Sequence, residues 1–170
     1  MKLKLKDIVI FAMLGTLMYV LKWAMEILPN IHLVGVFIVA TTVVYRAKAL
    51  LPLYVFVIIN FIMSGFSIWT LPYFYVWLPL WASVMLLPKN MPKVIKPAVY
   101  MVVCAAHGFL FGVLYAPAQA LLFGLDFNGT LTWIITGFPY DVIHGVSNFV
   151  CGLLICPIIS VLSNSARYTR

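Results

Sequence analysis

Gly137-Phe138-Pro139-Tyr140-Asp141-Val142-Ile143-His144-Gly145-Val146-Ser147-Asn148 opens the last long apolar run of this chain, and its pattern decides how the remainder is read. Wound as a helix at about 100° per residue, it gathers Asp141, His144, Gly145, Asn148 and then Gly152 on about a third of the circumference. Val142, Val146, Phe149, Val150, Leu153 and Leu154 fall opposite. A helix with one polar, glycine-lined stripe and one apolar face turns the stripe toward protein or a cavity and the apolar face toward lipid. Pro139 fits the first turn, where its missing N–H costs nothing. Asp141 then sits beside free backbone N–H groups at the positive end of the helix dipole. His144 and Asn148 follow one and two turns deeper. The result is a ladder of carboxyl, imidazole and amide suited to hydrogen-bonding a polar small molecule.

The composition agrees with a membrane setting. Of 170 residues, 65% are hydrophobic and 9% charged, with a mean hydropathy of +1.10, which leaves too little polar surface to cover a soluble globule. No linker, long charge run or internal repeat divides the chain, so residues 1–170 read as a single domain. The formal charge of +7 comes from basic residues in short loops between apolar runs, which points to lipid headgroups and orientation rather than nucleic acid. Cys104, Cys151 and Cys156 lie inside apolar runs without metal-ligand spacing and read as small core residues. The basic start reads as the flank of a retained first span rather than a cleaved signal, because its apolar run continues past Val20.

Six spans are expected, over Ile8–Leu28, Ile31–Tyr45, Ala49–Phe66, Leu71–Leu87, Ala98–Phe123 and Pro139–Leu162. The second has fifteen residues, short of the roughly seventeen needed to cross, but the charge pattern requires it. With six crossings, Lys2, Lys4, Lys6, Arg46, Lys48, Lys89, Lys93, Lys96, Arg167 and Arg170 share one side, which is ten of the eleven basic residues. The other side receives the Pro29-Asn30 turn and the loops Ser64–Thr70 and Gly124–Thr132. The positive-inside rule then places both termini in the cytoplasm of an all-α, six-helix membrane bundle.

Further candidate residues cluster toward the outer side. Trp23, Trp69, Tyr73, Phe74, Tyr75 and Trp77 mark that boundary, and Tyr73, Trp77 and Trp81 recur at helical spacing as possible stacking surfaces. Lys22 and Glu26 lie four apart and can pair, with Glu26 at a ligand mouth. Pro117 should bend or break the fifth span and turn Gln119 over a cavity. His107 reads as a buried histidine bonded to a neighbour. Ala12, Gly15 and Thr16 form a small-residue patch where another helix can approach closely. No Walker A loop, HExxH, CxxC or GxSxG motif occurs, so neither ATP hydrolysis nor a common catalytic motif is legible, and no metal or cofactor is expected.

This layout resembles the substrate-binding S components of energy-coupling factor (ECF) transporters. Three stretches are similar to members of that family: Ile31-His32-Leu33-Val34-Gly35, Tyr115-Ala116-Pro117-Ala118-Gln119-Ala120, and Gly137 to Phe149. The resemblance implies a binder for a vitamin, vitamin precursor or related heterocycle in a prokaryotic cell membrane, working with a T subunit and two ATPases and not itself an enzyme. It implies a lid from loops around Asn30, Trp69 and Gln119, and a floor from Asp141, His144 and Asn148, with Tyr140 counted among the contacts. The family often carries an Ala-xxx-Ala docking site on its first helix; the matching positions here are Ala12 and Thr16. Two other readings stay open: an intramembrane enzyme using Asp141 and His144 as acid and base, and a self-sufficient carrier or channel.

Overall fold

The computed structural model describes residues 3–65 and 67–167; Lys2, Phe66 and Arg170, which enter the sequence reading, lie outside them. Those residues form helices α1 (Leu5–Ala24), α2 (Val34–Tyr45), α3 (Leu50–Ser64), α4 (Tyr73–Val76), α5 (Leu78–Leu86), α6 (Lys96–Phe109), α7 (Phe111–Phe123), α8 (Phe127–Cys151) and α9 (Ile155–Arg167). Short 3-10 turns at Arg46–Ala49 and Gly152–Leu154 join α2 to α3 and α8 to α9. Four stretches are long and apolar enough to cross a bilayer: Leu5–Ala24, Val34–Ser64, Lys96–Phe123 and Phe127–Ser165; Tyr73–Leu86 is a shorter apolar segment. By helix length and hydropathy this is a multi-pass helical membrane protein.

The centre of the bundle is α2. Every residue from Val34 to Thr42 is buried, as expected of a helix apolar on all sides. Its brevity has a physical reason, since protein rather than lipid surrounds it. Its two threonines satisfy themselves within the helix: Thr41 Oγ1 donates to the Phe37 carbonyl at 2.7 Å and Thr42 Oγ1 to the Ile38 carbonyl at 2.6 Å. Beside it, α1 and α3 run in the same direction. Lys48, just ahead of α3, pairs with Asp7 in the first turn of α1 at 3.3 Å, and further along Gly15 packs on α3. A Cβ at Gly15 would stand 2.6 Å from Val55 Cβ and 2.7 Å from the Pro52 carbonyl, so glycine is what permits this approach.

Three expectations about helix ends are corrected. The last long helix begins at Phe127 instead of Pro139, because Asp126 caps it by accepting from the Gly129 N–H at 2.7 Å. Pro139 and Asp141 therefore sit within α8, and the loop expected over Gly124–Thr132 shrinks to three residues ahead of Phe127. Pro117 stays inside α7, and the break in that run falls earlier, at Leu110. The Leu71–Leu87 run is divided at Trp77, since Pro79 in the first turn of α5 has no N–H to offer the preceding turn.

The amphipathic division of α8 is as the spacing suggests. Asp141, His144, Gly145, Ser147 and Asn148 are buried, whereas Val146, Phe149 and Val150 are exposed on the lipid-facing side. The stripe is packed chiefly on α6. A Cβ at Gly108 would lie 2.8 Å from the Gly145 backbone, and one at Gly152 would lie 2.8 Å from Met101 Cγ. The glycines thus serve helix contact rather than line an open chamber.

Candidate ligand-binding site

The break at Leu110 organises the site. A helix that starts afresh at Phe111 has N–H groups with no partner inside it. One of these, Gly112 N–H, donates to Asp141 Oδ1 on α8 at 3.0 Å in buried surroundings. A Cβ at Gly112 would fall on that carboxyl group, so the pairing needs both a glycine and an acceptor there. Asp141 is consequently held by α7, and what it fixes is the first turn of α7, including Phe111.

Phe111 stands edge-on to His144, with ring centroids 4.7 Å apart, and His144 is edge-on to His32 at 4.8 Å. His32 lies in the loop ahead of α2, where burial, aided by the Lys22 charge, holds its imidazole down to about 4, so it is neutral at physiological pH. Behind these rings, Trp77 is buried and stacks on His107 at 5.4 Å. His107 Nε2 lies 2.8 Å from the Val76 carbonyl; a carbonyl only accepts, so this nitrogen carries the proton. Four buried ring nitrogens in this cluster have no partner among the described residues: His32 Nδ1, Trp77 Nε1, His107 Nδ1 and His144 Nε2. Each such group costs about 1–3 kcal/mol unless another donor or acceptor meets it.

A cavity of about 160 Å³ opens beside the cluster. Its inner surface includes His32, His144, Tyr73 and Phe111, and its rim carries Lys22, Glu26 and Asn30. Lys22 and Glu26 make no ion pair with one another, because α1 ends at Ala24 and Glu26 has left the helical register. Asn30 adopts a left-handed conformation (φ 57°), which asparagine tolerates better than most residues. Its Nδ2 donates to the Tyr140 carbonyl at 3.3 Å, and its own carbonyl accepts from Ser147 Oγ at 3.1 Å. These two bonds pin the cavity wall of the α1–α2 loop to α8.

The structure thus brings Glu26, Asn30, Tyr73 and His144 together around one cavity and sets the other sequence candidates elsewhere. Trp77 forms the layer behind. Asn148 is buried and donates from Nδ2 to the Cys104 carbonyl at 3.3 Å, leaving Oδ1 without a partner among the described residues. Gln119 is fully buried, and neither amide atom has a partner among the described residues. Trp69 is 55% exposed and Tyr140 58% exposed, so the rings point away from the cluster while the Tyr140 carbonyl holds Asn30. On α1, Gly15 is committed to α3, whereas Ala12 and Thr16 are on its exposed side, with Thr16 Oγ1 donating to the Ala12 carbonyl at 2.9 Å. Among the described residues no group of three His, Cys, Asp or Glu side chains is disposed to hold a metal ion.

Sequence reasoning left Phe111, His32 and Ser147 out of the site. Phe111 carried no signal beyond being aromatic in an apolar run. His32 did: an imidazole in a short turn beside Asn30, away from any charged loop, is an unusual residue to place at the mouth of an apolar helix. Comparison with protein-family models, with curated proteins and with solved structures finds no match to this chain.

Proposed function

We propose that the chain is a membrane-embedded capture subunit for a small neutral heterocycle, of the kind that S components provide to ECF-type importers. The observation that carries this reading is the pair of imidazoles, His32 and His144, that line the cavity with Tyr73 and Phe111, each with a ring nitrogen that has no partner among the described residues, beside the polar Lys22, Glu26 and Asn30. Such a surface stacks on a flat ring and exchanges hydrogen bonds with it. The cavity volume of about 160 Å³ falls below the 300–1,000 Å³ of common ligand sites and favours a one-ring compound, such as a pyrimidine-like vitamin precursor, over a flavin, folate or corrinoid.

Six traverses with both ends in the cytoplasm fit the alternating helix directions, with Val34–Ser64 turning back at Arg46, where the backbone has φ 55°. The cavity is then on the outer side, opposite the basic loops. With no nucleotide-binding motif in the chain, movement of the ligand inward falls to a T subunit and ATPases. The test is calorimetric titration of the detergent-solubilised protein with a panel of one-ring and multi-ring heterocycles. A one-ring compound should bind, and His144→Ala should weaken it at least tenfold. Equal binding by the variant, or flux of the compound through liposomes holding this chain alone, overturns the proposal.

A further inference from the structure

A second cavity, of about 350 Å³, lies at the opposite, basic end of the bundle, between the end of α2, the end of α5 and the start of α6. Three cations line it: Arg46, Lys89 and Lys96. None of the four acidic residues of the chain does. Asp7 pairs with Lys48, Glu26 is on the rim of the other cavity, Asp126 caps α8 and Asp141 holds Gly112. Three like charges around one recess repel each other unless an anion joins them.

The donors there are arranged and not merely numerous. Arg46 is half-buried and its left-handed backbone is held from two sides, with Nη2 donating to the Met85 carbonyl at 2.7 Å and its own carbonyl accepting from Trp81 Nε1 at 3.4 Å. That bond engages one nitrogen of the guanidinium, and its remaining donors have no partner among the described residues. Lys96, also half-buried, starts α6, and Tyr100 follows one turn later on the same face, buried, with its hydroxyl bonded to no described residue. A planar fork, ammonium groups and a phenol match the oxygens of a phosphate. The remaining wall is apolar, with Val43, Val84, Leu87 and Met91. A charged head beside an apolar wall, at the end of membrane-spanning helices, is where the phosphate of an anionic lipid sits.

We propose that this recess is a phosphate-recognition site, taking the phosphate group of an anionic phospholipid or of a soluble phosphorylated compound. It stands apart from the ligand cavity and does not depend on the transport reading. The test uses the full chain in nanodiscs or mild detergent, with native mass spectrometry and ³¹P NMR reading the retention of dioleoylphosphatidylglycerol against dioleoylphosphatidylcholine, and inorganic phosphate as the soluble competitor. The wild type should retain phosphatidylglycerol preferentially. The double variant Lys89→Gln/Lys96→Gln should reduce that retention about thirty-fold, from two lost cation contacts, while Lys93→Gln, a lysine outside the recess, leaves it within twofold. Arg46→Gln is the stronger perturbation but also frees Met85, so the lysine pair carries the test. Displacement of the lipid by millimolar phosphate assigns a soluble source, and retention in its presence assigns the lipid. Equal retention by wild type and double variant, or no preference for phosphatidylglycerol together with no phosphate binding, overturns the proposal.

Discussion

Replacing Asp141 by alanine separates a residue that touches ligand from one that shapes the protein. In the structure its Oδ1 accepts the Gly112 N–H at 3.0 Å, in the first turn of α7, where that donor has no partner in its own helix. Alanine leaves a buried N–H unmet, a penalty of about 1–3 kcal/mol. Taking about 2 kcal/mol as the centre, opening of that turn becomes roughly thirty-fold more frequent. Asparagine keeps an oxygen in place and should cost within about 1 kcal/mol. The assay is amide hydrogen exchange of residues 111–114 in detergent, alongside unfolding by a denaturing detergent. Alanine should accelerate exchange there and lower stability, with asparagine between it and wild type. Unchanged exchange at 111–114 in the alanine variant, with ligand affinity nonetheless lost, refutes the reasoning and makes Asp141 a direct ligand contact.

Three further outcomes are expected. Asn30→Ala removes the bond to Tyr140 and forces a left-handed backbone on alanine, so it should destabilise by about 1–2 kcal/mol and speed ligand release in stopped-flow experiments, whereas Asn30→Gly relieves the strain and costs less. Gly108→Ala drives a methyl to 2.8 Å from the Gly145 backbone and should cost about 1–3 kcal/mol in detergent unfolding; Gly137→Ala, with nothing within 4 Å, should be neutral or stabilising by up to about 1 kcal/mol. Because His32 titrates near 4 in the folded chain against 6.5 when exposed, the unfolded chain binds more protons between those values, so stability falls as pH drops through that window and His32 contributes nothing to the pH dependence above it. Unfolding at pH 7.0, 5.5 and 4.5 checks this, with a shallower dependence in His32→Asn.

Much of the architecture was legible because hydropathy is a strong signal in a chain this apolar. The helical character and the membrane setting follow from composition and hydropathy, and the inward stripe of α8 from spacing. Where the reading departed from the structure, local chemistry outweighed the pattern. Asp126 is a preferred N-cap residue, and its side chain, accepting from the Gly129 N–H, sets the start of α8 twelve residues ahead of Pro139. Pro117 advertised a kink, yet the break occurs at Leu110, because a carboxyl group on a different helix can satisfy Gly112; no local spacing reveals a partner 29 residues away. The site was legible in part for the same reason. Glu26, Asn30, Tyr73 and His144 carry polar or aromatic groups that stand out in apolar surroundings, while Phe111 gains its position from the break, and Ser147 from a left-handed turn 117 residues earlier.

The account rests on the cavity bounded by His32, Tyr73, Phe111 and His144 being where a small molecule is held. Mass spectrometry of small molecules that co-purify with the detergent-solubilised wild type, with His144→Ala and with the surface control Gly137→Ala tests it most directly. One single-ring heterocycle, bound one to one, should accompany the wild type and the control and be lost from His144→Ala. A compound that accompanies all three equally contradicts the assignment.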